Sequence, residues 1–196
     1  GARDAAEKRG QSVTLKALAE AIEIGGDLHS KYIAEDPILR FEDARIRGYL
    51  TPSEAQWIVT HKSHRNTHFA QNENRDVESI SQFAFDRSNS LTTKGRIQVF
   101  SSLIGVQIPT ASCFLAWVYP DEWPVIDRRA LSTLQYFDIQ IKSERSPITG
   151  AVWERYVEII RDLQCLIRLR LRPVDVERAL YAIDKDRNGS NASWIR

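Results

Sequence analysis

Along almost the whole chain apolar residues recur three and four positions apart, and no two alternating apolar–polar runs face each other across a turn signal. That periodicity commits the chain to packing helices on helices, an all-α class. Leu15, Leu18 and Ile22 form a first stripe, closed by Gly25-Gly26. Thr51-Pro52-Ser53-Glu54 reads as a helix start, with a hydroxyl cap, proline in the first turn and an acid near the positive end. That helix carries Trp57 and Ile58 toward the basic segment His61 to Arg65. Asp76 is placed to cap a helix holding Val77, Ile80, Phe83 and Ala84. Thr92 or Thr93 caps the next, with Ile97, Phe100, Leu103 and Ile104 on one face, and Gly105 ends it. Further helices are predicted over Ala111 to Val118, from near Asp127 toward Phe137, through Trp153, Tyr156, Ile160, Leu163 and Ile167, and from Pro173 with Val176, Leu180 and Ile183 turned inward.

A chain of 196 residues suffices for one domain or two small helical lobes, and at this length it buries roughly 70% of its unfolded surface. The pattern predicts a disordered tail at 1–10, one helical domain over 11–187 with a hairpin at 92–118, and a tail at 188–196. The charged, small-residue start from Gly1 to Gly10 does not read as a secretory signal. No apolar run approaches the ~20 residues that span a bilayer, so no membrane association is expected. Cys113 and Cys165 sit in apolar helical patterns and are expected as buried free thiols, which points to a reducing, cytoplasmic setting. Two cysteines exclude a four-cysteine iron–sulfur cluster, and no cofactor or metal is expected. The net charge is only +1, so any face that binds nucleic acid has to be local.

Leu103 to Ser112 is the most informative segment. Gly105 permits a positive φ and Pro109 presets the first turn of the helix that follows. The amide groups opening that helix lack intrahelical partners and can bind an anion such as a DNA phosphate. Asp127 stands sixteen positions after Ala111, at the start of another helix. There it serves as an ordinary N-cap, and it also suits chemistry that develops positive charge, because a carboxylate stabilises an oxocarbenium-like sugar and orients a water.

The string L-I-G-V-Q-I-P-T-A at 103–111, followed by S-C-F-L-A-W-V-Y-P-D-E-W-P-V-I-D, resembles the helix-hairpin-helix superfamily of DNA base-excision glycosylases over about 25 residues. That family's hairpin reads roughly L-P-G-V-G-x-K-T-A, with a catalytic Asp beyond the next helix. The resemblance implies a two-lobed helical bundle, a hairpin that grips the DNA backbone through Gly105, Val106, Gln107 and Thr110, and Asp127 as the catalytic carboxylate. Gln107 replaces the family's second hairpin Gly, Arg128 a small residue, and Pro109 the Lys of members that form a Schiff base. The implied activity is therefore monofunctional: hydrolysis of the N-glycosidic bond of a flipped base without strand cleavage. Lys62, Arg65, Lys94 and Arg96 are candidates for the basic face, with solvated surface as their simpler role. Trp57, Trp117, Trp123, Trp153 and Tyr156 are candidates for stacking on the base. Two other readings stand beside this one, a DNA-binding module without catalysis and a helical protein-interaction domain; Gln107 and Arg128 favour them.

His61, His64 and His68 have helical spacing, but Asn66-Thr67 interrupts the helix, and a solvated basic helix end is the simpler reading. Asp184 to Gly189 copies the first half of a calcium loop, yet position twelve is Ile195 and two basic residues lie inside, so a polar helix end is expected.

Overall fold

A computed structural model describes residues 2–25 (with side chains from residue 13), 36–63, 66–143 and 145–189. Every regular element among these residues is helical. The α-helices are α1 (Ala2–Gly25), α2 (Glu42–Arg47), α3 (Pro52–Lys62), α4 (Asn74–Phe85), α5 (Thr93–Phe100), α6 (Ile108–Val118), α7 (Arg128–Tyr136), α8 (Gly150–Leu166) and α9 (Pro173–Asn188), with short 3-10 turns at Pro37–Phe41 and His68–Gln71. None is long and apolar enough to cross a membrane. Residues 190–196, most of the predicted C-terminal tail, lie outside the described residues.

Local chemistry explains the starts. Thr51 accepts from the Glu54 amide while Glu54 accepts from the Thr51 amide at 2.7 Å, a reciprocal capping box with Pro52 in the first turn. Thr92, Asp127 and Thr149 each accept from the amide three residues on. α6 opens without a side-chain cap at Gln107. It is apolar nearly all round, which suits its place in the core: every residue from Ala111 to Val118 is buried. One apolar cluster runs from Leu15 through Phe41, Phe100, Phe114 and Trp153 to Leu180, so the helices share a continuous core.

The structure departs from the sequence pattern in several places. α1 extends back to Ala2, through the segment assigned to a tail. α4 is capped at Glu73, and Asp76 lies within its first turn, where its charge still faces the positive end of the helix. Its buried face runs along Val77, Ser81, Ala84 and Phe85, which leaves Phe83 51% exposed. α5 stops at Phe100, not at Gly105; the amides of Ser101, Ser102 and Leu103 bond to carbonyls three residues back, and Ile104 turns outward. Cys113 is buried, but Cys165 is exposed, since it lies off the α8 face formed by Tyr156, Ile160 and Leu163. Arg96 is buried rather than solvent-facing. Its guanidinium donates to the carbonyls of Ala84 and Asp86 and ties α5 to the end of α4.

Candidate active site

Asp127 ends the Trp123 to Ile126 segment, which is anchored where the Ile126 amide donates to Ser112 Oγ of α6 at 3.0 Å. Its Oδ1 accepts from the Ala130 amide at 2.9 Å, leaving Oδ2 to face Lys62 Nζ at 3.7 Å. Lys62 is the last residue of α3, so a side chain expected on the DNA backbone lies instead beside the candidate carboxylate. Both side chains remain partly open, 23% exposed for Lys62 and 18% for Asp127.

Behind this pair lie groups that sequence spacing does not connect. Burial draws the Lys62 ammonium down, but the ionisable acidic groups around it, Cys113, Asp127, Glu177 and Tyr181, outweigh burial and hold it above the ordinary lysine range. Burial pushes the Cys113 thiol up to about 12. At neutral pH it is an uncharged thiol and no nucleophile, which leaves Asp127 as the neighbour whose carboxylate pairs with Lys62. On α9, Glu177 is buried; burial first and then the nearby Asp127 hold its carboxyl well above the usual range, against the pull of Lys62 and Arg178. On α8, the hydroxyl of Tyr156 is buried without a hydrogen-bond partner, and burial with Glu177 and Asp127 raises it well above the usual phenol range.

Tyr156 stood among the aromatic candidates, but its hydroxyl, not its ring, distinguishes it here. Glu177 escaped sequence reasoning. Its one signal is position: it lies three residues after Val174 and three before Leu180, a charge inside the apolar stripe of α9.

Among the tryptophans, Trp117, Trp123 and Trp153 are core. Trp57 is partly open, stacks on His61 with ring centres 4.6 Å apart, meets Trp117 edge-on at 6.0 Å and lies under Arg40. His61 immediately precedes Lys62, and Trp117 is one turn from Cys113, so an aromatic surface adjoins the polar cluster.

The hairpin has the backbone the sequence demands at one point: Gly105 takes φ +78°. Its carbonyl accepts from Asn66 Nδ2 at 2.6 Å, and Asn72 clasps Ile104 by donating to its carbonyl at 3.0 Å and accepting from its amide at 2.8 Å. Val106 is buried and its amide donates to Leu103 O at 3.1 Å, so it does not offer the N–H expected of it. Thr110 is buried, and Gln107, Gly105 and Lys94 are exposed. In the first turn of α6 Pro109 has no N–H and Ile108 and Thr110 are buried, so the amide on the exposed side for an anion is that of Gln107. Arg65 and His64 lie outside the described residues. A Cβ at Gly105 would stand 2.7 Å from Asn66 Oδ1 and 3.2 Å from the Phe69 amide nitrogen, in a left-handed backbone. Gly105→Ala is expected to destabilise the protein by about 1–3 kcal/mol, read as a lower denaturant midpoint at unchanged slope.

The surface hollow lined by Arg45, Arg87, Tyr119 and Glu122 shares no residue with the Asp127 cluster. Comparison with protein-family models, curated proteins and solved structures finds no match to this chain.

Proposed function

We propose that this protein is a monofunctional DNA glycosylase with a two-lobed bundle of the helix-hairpin-helix type, which hydrolyses the N-glycosidic bond of a flipped, damaged or modified base. The observation that carries the reading is Asp127: one oxygen is fixed by the α7 amide and the other is left partly open against a cation. A carboxylate held so is suited to stabilise the positive charge that develops on the sugar and to orient the attacking water. Lys62 supports the reading, since its ammonium in the free protein sits where a cation is favoured. The Gln107 amide at the start of α6, which lacks a side-chain cap, supplies a donor for one phosphate, and exposed Lys94 supplies a second contact. The exposed edge of the Trp57–His61 stack offers a surface for a base or for the gap it leaves.

A DNA-binding module without catalysis is favoured by one observation, the ion pair that partly covers Asp127. Two assays separate these readings from each other and from a protein-interaction domain. Duplex affinity is expected to fall at least about tenfold between roughly 50 and 200 mM salt, because phosphate contacts release counterions; salt-insensitive or absent binding contradicts any DNA role. Release of free base, abolished by Asp127→Asn, separates the enzyme from the module.

A further inference from the structure

The turn at His68–Gln71 is held more firmly than a connection between α3 and α4 requires. Phe69 is buried and meets Phe114 of α6 edge-on, with ring centres 6.3 Å apart. On one side of the turn Asn66 Nδ2 donates to the Gly105 carbonyl at 2.6 Å. On the other, Asn72 Nδ2 donates to the carbonyls of Phe69 at 2.7 Å and Ile104 at 3.0 Å, and Asn72 Oδ1 accepts from the Ile104 amide at 2.8 Å. A primary amide carries donors and an acceptor together, so the single Asn72 side chain ties the turn to the hairpin through both backbone groups of Ile104. Residues 66–72 and the hairpin thus form one unit, joined across more than 30 positions of chain.

This unit presents polar groups outward. Thr67, His68 and Gln71 are exposed, while Phe69 between them points into the core. Gln71 Nε2 lies 3.3 Å from His68 Nδ1. An amide nitrogen can only donate, so Nδ1 accepts and the ring proton sits on Nε2. Among the described residues that Nε2–H has no partner. The Phe69 amide nitrogen, one peptide bond beyond His68, would stand 3.2 Å from a Cβ at Gly105. Gln107, whose amide is the exposed donor of the hairpin, follows Gly105 by two residues, a span of at most about 7 Å. Two donors therefore flank Gly105, one from each segment, close enough to meet neighbouring phosphates of one strand.

We propose that the 66–72 turn is the second half of the DNA-backbone grip: His68 Nε2 donates to a phosphate beside the one held at Gln107, and Asn66 and Asn72 are positioning residues. This rests on the DNA-binding reading, with or without catalysis, and extends it to a segment outside the hairpin. A phosphate oxygen suits both donors. A backbone amide and a fixed imidazole N–H favour an anionic acceptor, and contacts of this kind set register without reading sequence. The asparagine bonds hold the two donors in place before DNA arrives, which lowers the ordering cost of binding.

The test is fluorescence anisotropy of a labelled DNA duplex with the wild-type protein, H68A, N72A and the H68A/N72A double variant. Salt is varied, and the temperature is one at which thermal melts show every variant folded. H68A removes an exposed side chain, so its melting temperature is expected to match wild type. Its affinity is expected to fall about tenfold, the worth of one hydrogen bond to a charged acceptor. N72A loses three hydrogen bonds and is expected to melt lower and to bind DNA at least as weakly as H68A. The double variant is expected to bind within about twofold of N72A, because a His68 that is no longer positioned has little left to lose. A merely structural Asn72 would leave the two losses independent. If N72A does not fold, N66A, which removes one bond, takes its place in the cycle.

Unchanged affinity in H68A, with salt-sensitive binding by the wild type, overturns this inference and leaves the DNA-binding reading standing. Losses that multiply in full in the double variant overturn the positioning role of the asparagines. No salt-sensitive binding by the wild type overturns both the inference and the reading beneath it.

Discussion

Asp127→Asn is expected to lower the rate of base release by about 10²–10⁴-fold while leaving the fold intact, the range seen when a group that stabilises transition-state charge is removed. The structure makes this a clean substitution. Asparagine caps helices as well as aspartate does, so the bond from the Ala130 amide, 2.9 Å in the native protein, is retained. What disappears is the negative charge facing Lys62 at 3.7 Å. Because Lys62 remains partly exposed, its ammonium can turn to solvent, and the stability change is expected to stay within about 1 kcal/mol. A large loss of rate at unchanged melting temperature assigns Asp127 to chemistry; a parallel loss of both assigns it to capping α7. Single-turnover release at saturating enzyme and a thermal melt, run on the same preparation, give the two numbers.

Asp184→Ala is expected to have the largest effect on stability, about 3–5 kcal/mol. Asp184 is fully buried on α9, and Arg129 of α7 donates to its Oδ2 at 2.9 Å, while Asn188 donates to its Oδ1 at 2.8 Å. Removing the carboxylate takes the Asp184 charge and its bond from the Arg129 guanidinium, which is only 15% exposed and also reaches the Gly189 carbonyl and the Tyr181 ring. Breaking one side of such a pair costs more than the pair itself contributes, because the remaining charge keeps its desolvation penalty. For a chain of this size the melting temperature should drop by roughly 10 °C or more. An unchanged melting temperature would mean that α7 and α9 are held by their other contacts, among them the Thr133 hydroxyl that donates to the Leu180 carbonyl at 2.7 Å. The same bonds give Asp184 and Asn188 structural duties where the sequence only echoes half of a calcium loop.

What could be read from the sequence was what local chemistry determines. The Thr51 cap with Glu54 in the first turn, the Thr92 cap, the positive φ of Gly105 and the N-cap geometry of Asp127 all depend on residues within four positions of one another. The apolar face of α8 was legible because its period is unbroken. The gathering of Lys62, Cys113, Asp127, Tyr156 and Glu177 was not, since it brings five different helices or helix starts to one place and no local preference encodes that. Arg96 shows the same limit from the other side. In sequence it is a basic residue ahead of a hairpin and reads as solvent-facing first and a phosphate contact second, whereas in the fold its guanidinium closes the carbonyls at the end of α4. Glu177 is the case where sequence held a clue, a charge in an apolar stripe, that becomes meaningful only once Asp127 is known to be its neighbour.

The most direct measurement is mass-spectrometric detection of free base from duplex and single-stranded oligonucleotides carrying a panel of damaged and modified bases, with alkali treatment of a parallel sample. The expected result is one free base from each strand cleaved by alkali, no strand break before alkali, and neither product with Asp127→Asn. Free base released at the wild-type rate by the Asp127→Asn variant, or no free base from any substrate by folded wild-type protein, would contradict a glycosylase built on Asp127.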